Sequence, residues 1–320
     1  MAKVTLLILF NHNYEANLEK LDKIYQGRFS SIYYIMPFYQ GKRADVITVY
    51  ENSYYFQGYV SKALEQLVDN GSNHYMVIGD DLLLNPEIDE DNYDTYFKVS
   101  NGKAFVPEFF LLNDPGVKLP YREYAPFWFH NDGILAFNIK KPGIEVTPFL
   151  PAYEEAERLL ARHGIKFTPE MSFKMFYRSP IIKWIWTEKE MIRNWRNLKL
   201  IFYYNLKRLF NPAKIPYPMV GSYSDCVIIP KEAVKNVIKY CGIFASLDLF
   251  VEVALPTAIA FSAAEIVTEK ELDYKGKTLW EKEETDALLE KYDNSLAKLS
   301  GEYPEHTLYI HPVKLSKLKF

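Results

Sequence analysis

The sequence predicts an α/β protein whose mostly parallel central sheet is flanked by helices. Two observations predict this class: the first hundred residues alternate short apolar runs with segments of helical periodicity, and the first run, Val4–Phe10, is apolar apart from Thr5. The alternation is typical of strand–helix–strand units, and a continuously apolar strand is expected where both faces of a sheet are covered. With 320 residues, 48% of them hydrophobic, the chain can bury a large core. We expect one domain over residues 1–320, because no low-complexity linker or internal repeat divides the sequence.

The individual elements follow from hydrophobic periodicity and from the residues that end each run. The first predicted elements are the strand Val4–Phe10, the helix Tyr14–Tyr25, the strands Ser31–Phe38 and Asp45–Tyr50, the helix Phe56–Val68 and the strand Tyr75–Ile78. Residues 97–150 predict short aromatic strands broken by prolines, and Pro151–Gly164 predicts a polar helix that ends at its glycine. The last predicted elements are the strand Asp225–Ile229, the helices Lys231–Tyr240 and Leu247–Phe261, a charged helical region over 269–299 and a short strand in the C-terminal tail.

Composition excludes several functional classes. A net charge of −3 argues against a protein that coats nucleic acid, so we expect no nucleic-acid partner. Two cysteines, Cys226 and Cys241, are too few for a disulfide scaffold and favour a reducing compartment. The apolar run Val4–Phe10 is too short to span a membrane and is followed by no small-residue cleavage site. These features together predict a cytoplasmic protein.

The most informative motif lies in the segment His74–Pro86, where an apolar strand runs into Gly79, Asp80 and Asp81. Two carboxylates at the carboxyl end of a central strand are hard oxygen ligands, which suit Mg²⁺ or Mn²⁺ bridging to phosphate. The alternative is a turn whose aspartates cap the next segment. Motifs for other chemistries are absent, namely a Gly-rich dinucleotide or phosphate loop, Gly-x-Ser-x-Gly and zinc-like cysteine spacing.

The order strand–helix–strand, helix, strand, Asp-Asp resembles the nucleotide-binding half of GT-A glycosyltransferases. The helix before the acidic motif opens with Phe56–Gly58 and later carries Ala63. Gly58 and Ala63 are small residues, and that family often has small residues near these positions. The resemblance covers residues 1–140, a nucleotide-sugar-binding part, and 220–320, an acceptor-side part. It implies that Asp80 and Asp81 occupy the family's Asp-x-Asp position and bind a divalent cation and the nucleotide. No second Asp follows two residues after Asp80, which leaves open which of the two ligates the metal.

A second pair of acids lies in the segment Ser246–Ala258. Asp248 and Glu252 are spaced to share one face of a helix, or Asp248 caps that helix and Glu252 lies one turn on. The resemblance implies a carboxylate here that contacts the acceptor and, in inverting members, removes a proton from its hydroxyl. The alternative is an amphipathic helix with two solvated acids. Ser224 and Asp225, which follow Gly221, either contact the acceptor or form a strand-entry turn.

Further candidates follow from the same resemblance. His311, after a short C-terminal strand, would complete the metal site, and Lys314 would neutralise the leaving phosphate, although a lone histidine is often structural. Phe10 and His12, at the end of the first strand, and Glu51, at the end of the third, would line the nucleotide pocket.

A basic and aromatic segment, residues 178–214, lies within a predicted helical insertion over 151–215. Its nine Lys or Arg and two Glu give +7, which leaves −10 for the rest of a chain whose total is −3. Tryptophan and basic residues on an amphipathic helix suit an anionic membrane surface, whereas a packed helical hairpin with a wet basic face is the alternative.

The sequence therefore predicts a metal-dependent glycosyltransferase with Mn²⁺ or Mg²⁺ as cofactor and a nucleoside diphosphate sugar as donor. The expected acceptor is a glycan or lipid-linked glycan in bacterial capsule or O-antigen synthesis, at or near the inner membrane face. Two alternatives stay open. One is a sugar-phosphate nucleotidyltransferase, which usually needs a Gly-rich signature that Asn11–Tyr14 lacks. The other is a non-catalytic scaffold with the same fold.

Overall fold

The structure is a computed structural model that describes residues 3–100, 102–111, 145–167 and 217–320. The strands of these residues are β1 (Val4–Leu9), β2 (Ile32–Pro37), β3 (Val46–Val49), β4 (His74–Gly79), β5 (Leu83–Leu84), β6 (Ala104–Phe105), β7 (Cys226–Pro230), β8 (Ile266–Val267), β9 (Lys275–Thr278) and β10 (Thr307–His311). Their helices are α1 (Leu18–Tyr25), α2 (Phe56–Leu67), α3 (Tyr93–Tyr96), α4 (Tyr153–Ala161), α5 (Lys231–Ser246), α6 (Val251–Ser262), α7 (Lys282–Lys291) and α8 (Leu296–Gly301).

The central sheet has seven strands in the order β3-β2-β1-β4-β7-β6-β8. Strands β1 to β4 are parallel, β7 runs antiparallel to β4 and β6, and β8 is parallel to β6. This confirms the predicted α/β class with a mostly parallel sheet. Strand β2 lies on one side of β1 and β4 lies on the other, so the strand order reverses between β1 and β4. Such a reversal opens a crevice at the carboxyl ends of the strands.

Every residue of β1 is buried, which explains why all of them except Thr5 are apolar. Leu7 belongs to the core on the face covered by α2, α5 and α6, whereas Leu6 and Ile8 belong to the core on the other face, with α1 and α7. Successive side chains of a strand point to opposite faces, so both cores need apolar residues from the same strand. Each fully buried aliphatic side chain of this kind contributes about 1.5–3 kcal/mol.

A smaller sheet of three strands, in the order β5-β10-β9, brings the C-terminal region to the acidic motif. Strand β5 begins two residues after Asp81, and its Leu83 pairs with Ile310 of antiparallel β10. The amide of Val313 donates to the carbonyl of Asp81 at 2.6 Å. The end of β10 is therefore fixed beside the end of β4.

Three predicted elements in the last third differ from the structure. Helix α5 continues to Ser246 instead of ending at Tyr240, and α6 begins at Val251 instead of Leu247. Asp248 lies between them with φ of 56°, in the left-handed region, and the amide of Leu249 closes the end of α5 on a carbonyl of its last turn. The break therefore comes from a helix C-terminal turn rather than from a capping aspartate.

The region 269–299 is also not helical throughout, because residues Lys275–Thr278 form β9 beside β10. A Cβ atom on Gly276 would lie 2.3 Å from Cζ of Tyr309, so only glycine lets the Tyr309 ring cross this strand. Polar side chains at an exposed edge strand hide its strand character in the sequence. The basic segment 178–214 and most of the predicted insertion lie outside the described residues. Among the residues that the structure describes, no helix combines the length and apolar character needed to cross a bilayer.

Candidate functional site

The acidic motif forms a turn at the carboxyl end of β4. The amide of Asp80 donates to the carbonyl of Leu9 at 2.9 Å, and the amide of Leu82 donates to that of Gly79 at 3.1 Å. A Cβ atom on Gly79 would lie 3.0 Å from Oδ1 of Asp81. Glycine at this position therefore leaves the room that the Asp81 carboxylate occupies.

The two aspartates have different surroundings. Asp80 is only 5% exposed, and Nδ2 of Asn17 lies 3.4 Å from its Oδ2. Burial raises the pKa of the Asp80 carboxyl to about 7, the charge of Asp81 adds to this, and hydrogen bonds from Asn17 and the Asn11 backbone oppose it. The side chain of Asp81 is about one-third exposed. Asp80 is thus held inside the edge of the sheet, while Asp81 reaches solvent.

His311 lies between two carboxylates. Its Nε2 is 3.2 Å from Oδ1 of Asp81, and its Nδ1 is 3.2 Å from Oδ2 of Asp225. Both contacts are at ion-pair distance, but Oδ1 of Asp81 and Nδ1 of His311 are buried and have no well-aligned hydrogen bond. Burial alone would lower the pKa of His311, but the negative charges of Asp225 and Asp81 at these distances outweigh it and hold that pKa well above its usual range.

Asp225 reaches this edge of the sheet because β7 runs antiparallel to β4. Cys226 is paired with Ile78, and the amide of Gly79 donates to the carbonyl of Asp225 at 3.3 Å. Because β7 runs in the opposite direction to β4, the residue just before β7 lies beside the carboxyl end of β4. From the sequence alone, Asp225 is either an acceptor contact or part of a strand-entry turn, because the direction of β7 is not visible in its apolar pattern.

The site offers a divalent cation one carboxylate and one imidazole side by side. Among the described residues, no group of three or more His, Cys, Asp or Glu side chains converges as a complete metal site. Mg²⁺ and Mn²⁺ bound with a nucleotide need only one or two protein ligands, since phosphate oxygens and waters fill the other positions. The buried Oδ1 of Asp81, which lacks an aligned donor, and the adjacent Nε2 of His311 fit such a cation.

Asp248 and Glu252 do not share a helix face, contrary to the first alternative from the sequence. Asp248 accepts a hydrogen bond from the hydroxyl of Tyr55 at 3.0 Å, outside α6. Glu252 is in the first turn of α6, and its carbonyl accepts from the amide of Ser222 at 2.9 Å. This bond ties the start of α6 to the segment that leads into Asp225, so Glu252 lies at the same end of the sheet as the acidic motif.

Asp248 and Glu51 line a cleft of about 590 Å³ between α2 and α5. A Cβ atom on Gly58 would lie 2.7 Å from Oε2 of Glu51, so glycine in the first turn of α2 leaves room for that carboxylate. The positive end of a helix favours a carboxylate there. Other residues of this cleft are Tyr55, Ser61, Lys62, Glu65, Gln66, Gly242, Ala245 and Ser246.

The remaining predicted site residues occupy different environments. Phe10 is fully buried and packs edge-on against Tyr34, with ring centroids 6.1 Å apart, so its ring belongs to the core. His12 is exposed after β1 and meets the ring of Tyr14 at 5.5 Å. Lys314 is exposed in the segment that follows β10.

Exposed aromatic side chains at the strand ends are a feature that sequence analysis missed. Phe38 and Tyr50, which follow β2 and β3, are 53% and 72% exposed, and their ring centroids are 6.0 Å apart. Phe38 also has φ of 54°, which is rare for a bulky residue. Such backbone strain tends to persist at functional sites. The signal in the sequence is an aromatic residue at the end of each apolar run, which the hydrophobic pattern assigns to the strand.

No family model and no curated protein matches the chain. Among solved structures, it is similar to core-mannan synthase A (CmsA/Ktr4) from Aspergillus fumigatus, whose crystal structure is described as the Mn/GDP form. The identity is 10%, the alignment covers 85% of this chain and 74% of the synthase, and the TM-score is 0.34. A similarity at this level does not assign an activity.

Proposed function

We propose that this protein is a GT-A-type glycosyltransferase that transfers a sugar from a nucleoside diphosphate sugar to a glycan acceptor. The observation that carries the proposal is the contact between Asp81 and His311 at the carboxyl edge of a mostly parallel sheet, beside the strand-order reversal at β1 and β4. Ligands of α/β proteins bind in crevices at such reversals. A carboxylate and an imidazole that meet there from distant parts of the chain are suited to a cation and a diphosphate.

Asp81 and His311 would hold the divalent cation, with Asp80 behind them. When bound, the cation would neutralise the charge that develops on the leaving diphosphate. Lys314, on the segment after β10, would add a second positive charge near the same phosphates. The burial of Asp80 fits a role in orienting the turn and the nucleotide rather than direct ligation.

The nucleotide would lie over the ends of β1, β2 and β3. The exposed rings of Phe38 and Tyr50 offer a surface on which a base can stack, and His12 and Glu51 supply polar groups beside it. Base stacking on an aromatic side chain is worth about 1–3 kcal/mol. Base and sugar identity would depend on contacts within this group of loops.

The acceptor would bind on the side of α6. Glu252 would take the proton of the acceptor hydroxyl while the hydroxyl oxygen attacks the anomeric carbon of the donor sugar. The bond from that carbon to the diphosphate oxygen would break in the same step. Asp248, held by Tyr55, would orient the acceptor from the neighbouring cleft. A retaining enzyme would use Glu252 only for orientation.

The finer assignment is a role in bacterial surface polysaccharide synthesis, with a lipid-linked glycan as acceptor at the inner membrane face. Its support is the charge of the basic segment 178–214, which is +7 in a chain of total charge −3. Anionic lipid attracts clustered Lys and Arg, and tryptophan prefers the headgroup region. Such docking would bring the protein to a lipid-borne acceptor.

Binding of nucleoside diphosphates measured by calorimetry tests the proposal. We expect UDP or GDP to bind in the presence of Mn²⁺ and to bind at least 10-fold more weakly without it. Asp81→Asn should remove the dependence on Mn²⁺, because the amide keeps the shape of the side chain and removes its charge. The matched control is Asp273→Asn, since Asp273 is a highly exposed partner of Lys98 away from the motif.

Two results would contradict the proposal. One is Mn²⁺-dependent binding that is the same in Asp81→Asn and in the unaltered protein. The other is the absence of nucleotide binding with either base at any Mn²⁺ concentration. Slow release of free sugar from a donor without acceptor would further separate a transferase from a scaffold, because a scaffold releases none.

A further inference from the structure

His311 has a carboxylate at each ring nitrogen, and the proposed function uses only one of them. Asp81 lies at Nε2, where a cation would be shared between the two residues. Asp225 lies at Nδ1 on the opposite side of the ring, 3.2 Å away. This second carboxylate has no part in the proposed reaction, so its place in the fold needs its own explanation.

The backbone holds Asp225 in a fixed position. It precedes β7, whose five residues are all buried, and its carbonyl accepts a hydrogen bond from the amide of Gly79, next to the acidic motif. The Asp225 side chain is about one-quarter exposed and the His311 side chain about one-fifth. A carboxylate so placed is anchored to the same strand end as Asp81 and is largely shielded from solvent.

The chemistry of imidazole gives this arrangement a direction. A neutral imidazole has one nitrogen that donates a proton and one that accepts or ligates, and the partner of the first nitrogen decides which is which. At His311 a carboxylate faces each nitrogen. A cation shared with Asp81 would take the place of the proton at Nε2, and the carboxylate at Nδ1 would keep the other proton there. In metalloproteins, such carboxylate partners orient the ligating histidine and increase its basicity.

We propose that Asp225 is a positioning residue: it holds Nδ1 of His311 so that Nε2 and the Asp81 carboxylate face one divalent cation together. This inference rests on the proposed function, because it assumes a cation at Asp81 and His311. It adds to the site the residue that precedes β7, and it explains why an acid lies next to this apolar strand.

The test is the affinity for Mn²⁺ alone, measured from the electron paramagnetic resonance signal of the free ion, without nucleotide or turnover. We compare the unaltered protein with Asp225→Asn, Asp225→Ala and Asp81→Asn. Asp273→Ala serves as a matched removal of an exposed carboxylate. The circular dichroism melt of each metal-free variant shows that it is folded.

We expect Asp225→Asn to weaken Mn²⁺ binding about 10-fold and Asp225→Ala up to about 100-fold, the range seen when partners of metal ligands are removed. The asparagine variant should bind more tightly than the alanine variant, because its amide oxygen keeps a polar atom that can face Nδ1. Asp81→Asn should bind most weakly, and Asp273→Ala should bind as the unaltered protein does. If Asp225→Ala does not fold, Asp225→Asn decides the question.

Unchanged Mn²⁺ affinity in Asp225→Asn, with Asp81→Asn impaired, would overturn the positioning role and leave the proposed function in place. A loss in Asp225→Asn as large as that in Asp81→Asn would make Asp225 a direct ligand, which also overturns it. If the unaltered protein binds no Mn²⁺, or if Asp81→Asn binds as well as it does, the metal site itself is wrong. The Asp225 variants therefore test the positioning role, whereas the unaltered protein and Asp81→Asn test the metal site.

Discussion

The ion pair between Asp22 and Arg43 gives a prediction whose size can be worked out from the structure. Asp22, on α1, accepts two hydrogen bonds from the Arg43 guanidinium at 2.8 and 2.9 Å and one from the hydroxyl of Tyr34 at 2.8 Å. The side chains of Asp22 and Arg43 are only 20% and 30% exposed. A bidentate, partly buried pair is stronger than a typical surface pair, and hydrogen bonds to charged groups contribute about 1.5–3 kcal/mol each.

We expect Asp22→Asn to lower the free energy of unfolding at pH 7 by about 1.5–3 kcal/mol, because the amide loses the charge and one acceptor. The hydrogen bonds of Arg43 are the main reason why the pKa of Asp22 lies below its usual value, against the effect of burial. A carboxyl whose pKa is lower in the folded state stabilises the fold above its unfolded pKa of about 3.9 and loses that contribution as the pH falls through the folded pKa. The difference between the two proteins should therefore shrink below about pH 4.

Urea unfolding at several pH values between 7 and 3 measures this difference directly. The matched control is Asp91→Asn, because Asp91 pairs with Lys3 on the surface, where the two side chains are 77% and 58% exposed. That variant should lose less than about 1 kcal/mol. The reasoning fails if Asp22→Asn costs no more than the control, or if its cost is the same at pH 3 as at pH 7.

Three further predictions concern the site and its surroundings. Gly79→Ala should weaken Mn²⁺ binding at least 10-fold, because the new Cβ would lie 3.0 Å from Oδ1 of Asp81 and move that carboxylate. The control is Gly301→Ala, whose Cβ would meet no atom within 4 Å and which should bind Mn²⁺ normally. Equal Mn²⁺ affinities of the two variants would contradict the prediction. Glu252→Gln should keep donor binding and reduce turnover about 10²–10⁴-fold, whereas normal turnover would remove its role as a base. The basic segment 178–214 should bind anionic vesicles at low salt and release them at high salt, since the Debye length is about 8 Å at physiological ionic strength. Changing four residues of this segment to Gln should abolish vesicle binding without unfolding the protein: Lys183, Arg193, Arg196 and Lys199. The prediction is refuted if the unaltered protein does not co-sediment with anionic vesicles at any salt concentration.

The sequence by itself determined the fold class and the position of the acidic motif. Nearly continuous apolar runs such as Val4–Phe10 are a local consequence of burial on both faces, so they can be recognised without knowing the neighbouring strands. The turn at Asp80 and Asp81 follows in the same way, because it comes directly where an apolar run ends. The helix α2 was also predicted to within one residue, since its periodicity is strong and local.

Only the tertiary structure decided which distant residues meet at the site. Asp225 joins His311 because β7 runs antiparallel to β4, and strand direction depends on partners far away in the chain. Asp248 lies outside its predicted helix because the end of α5 closes in a left-handed turn at this residue. The two kinds of feature differ for one physical reason. A burial pattern depends on the residues of one segment and can be recognised from their sequence, whereas strand pairing, turn conformation and side-chain juxtaposition depend on contacts between segments.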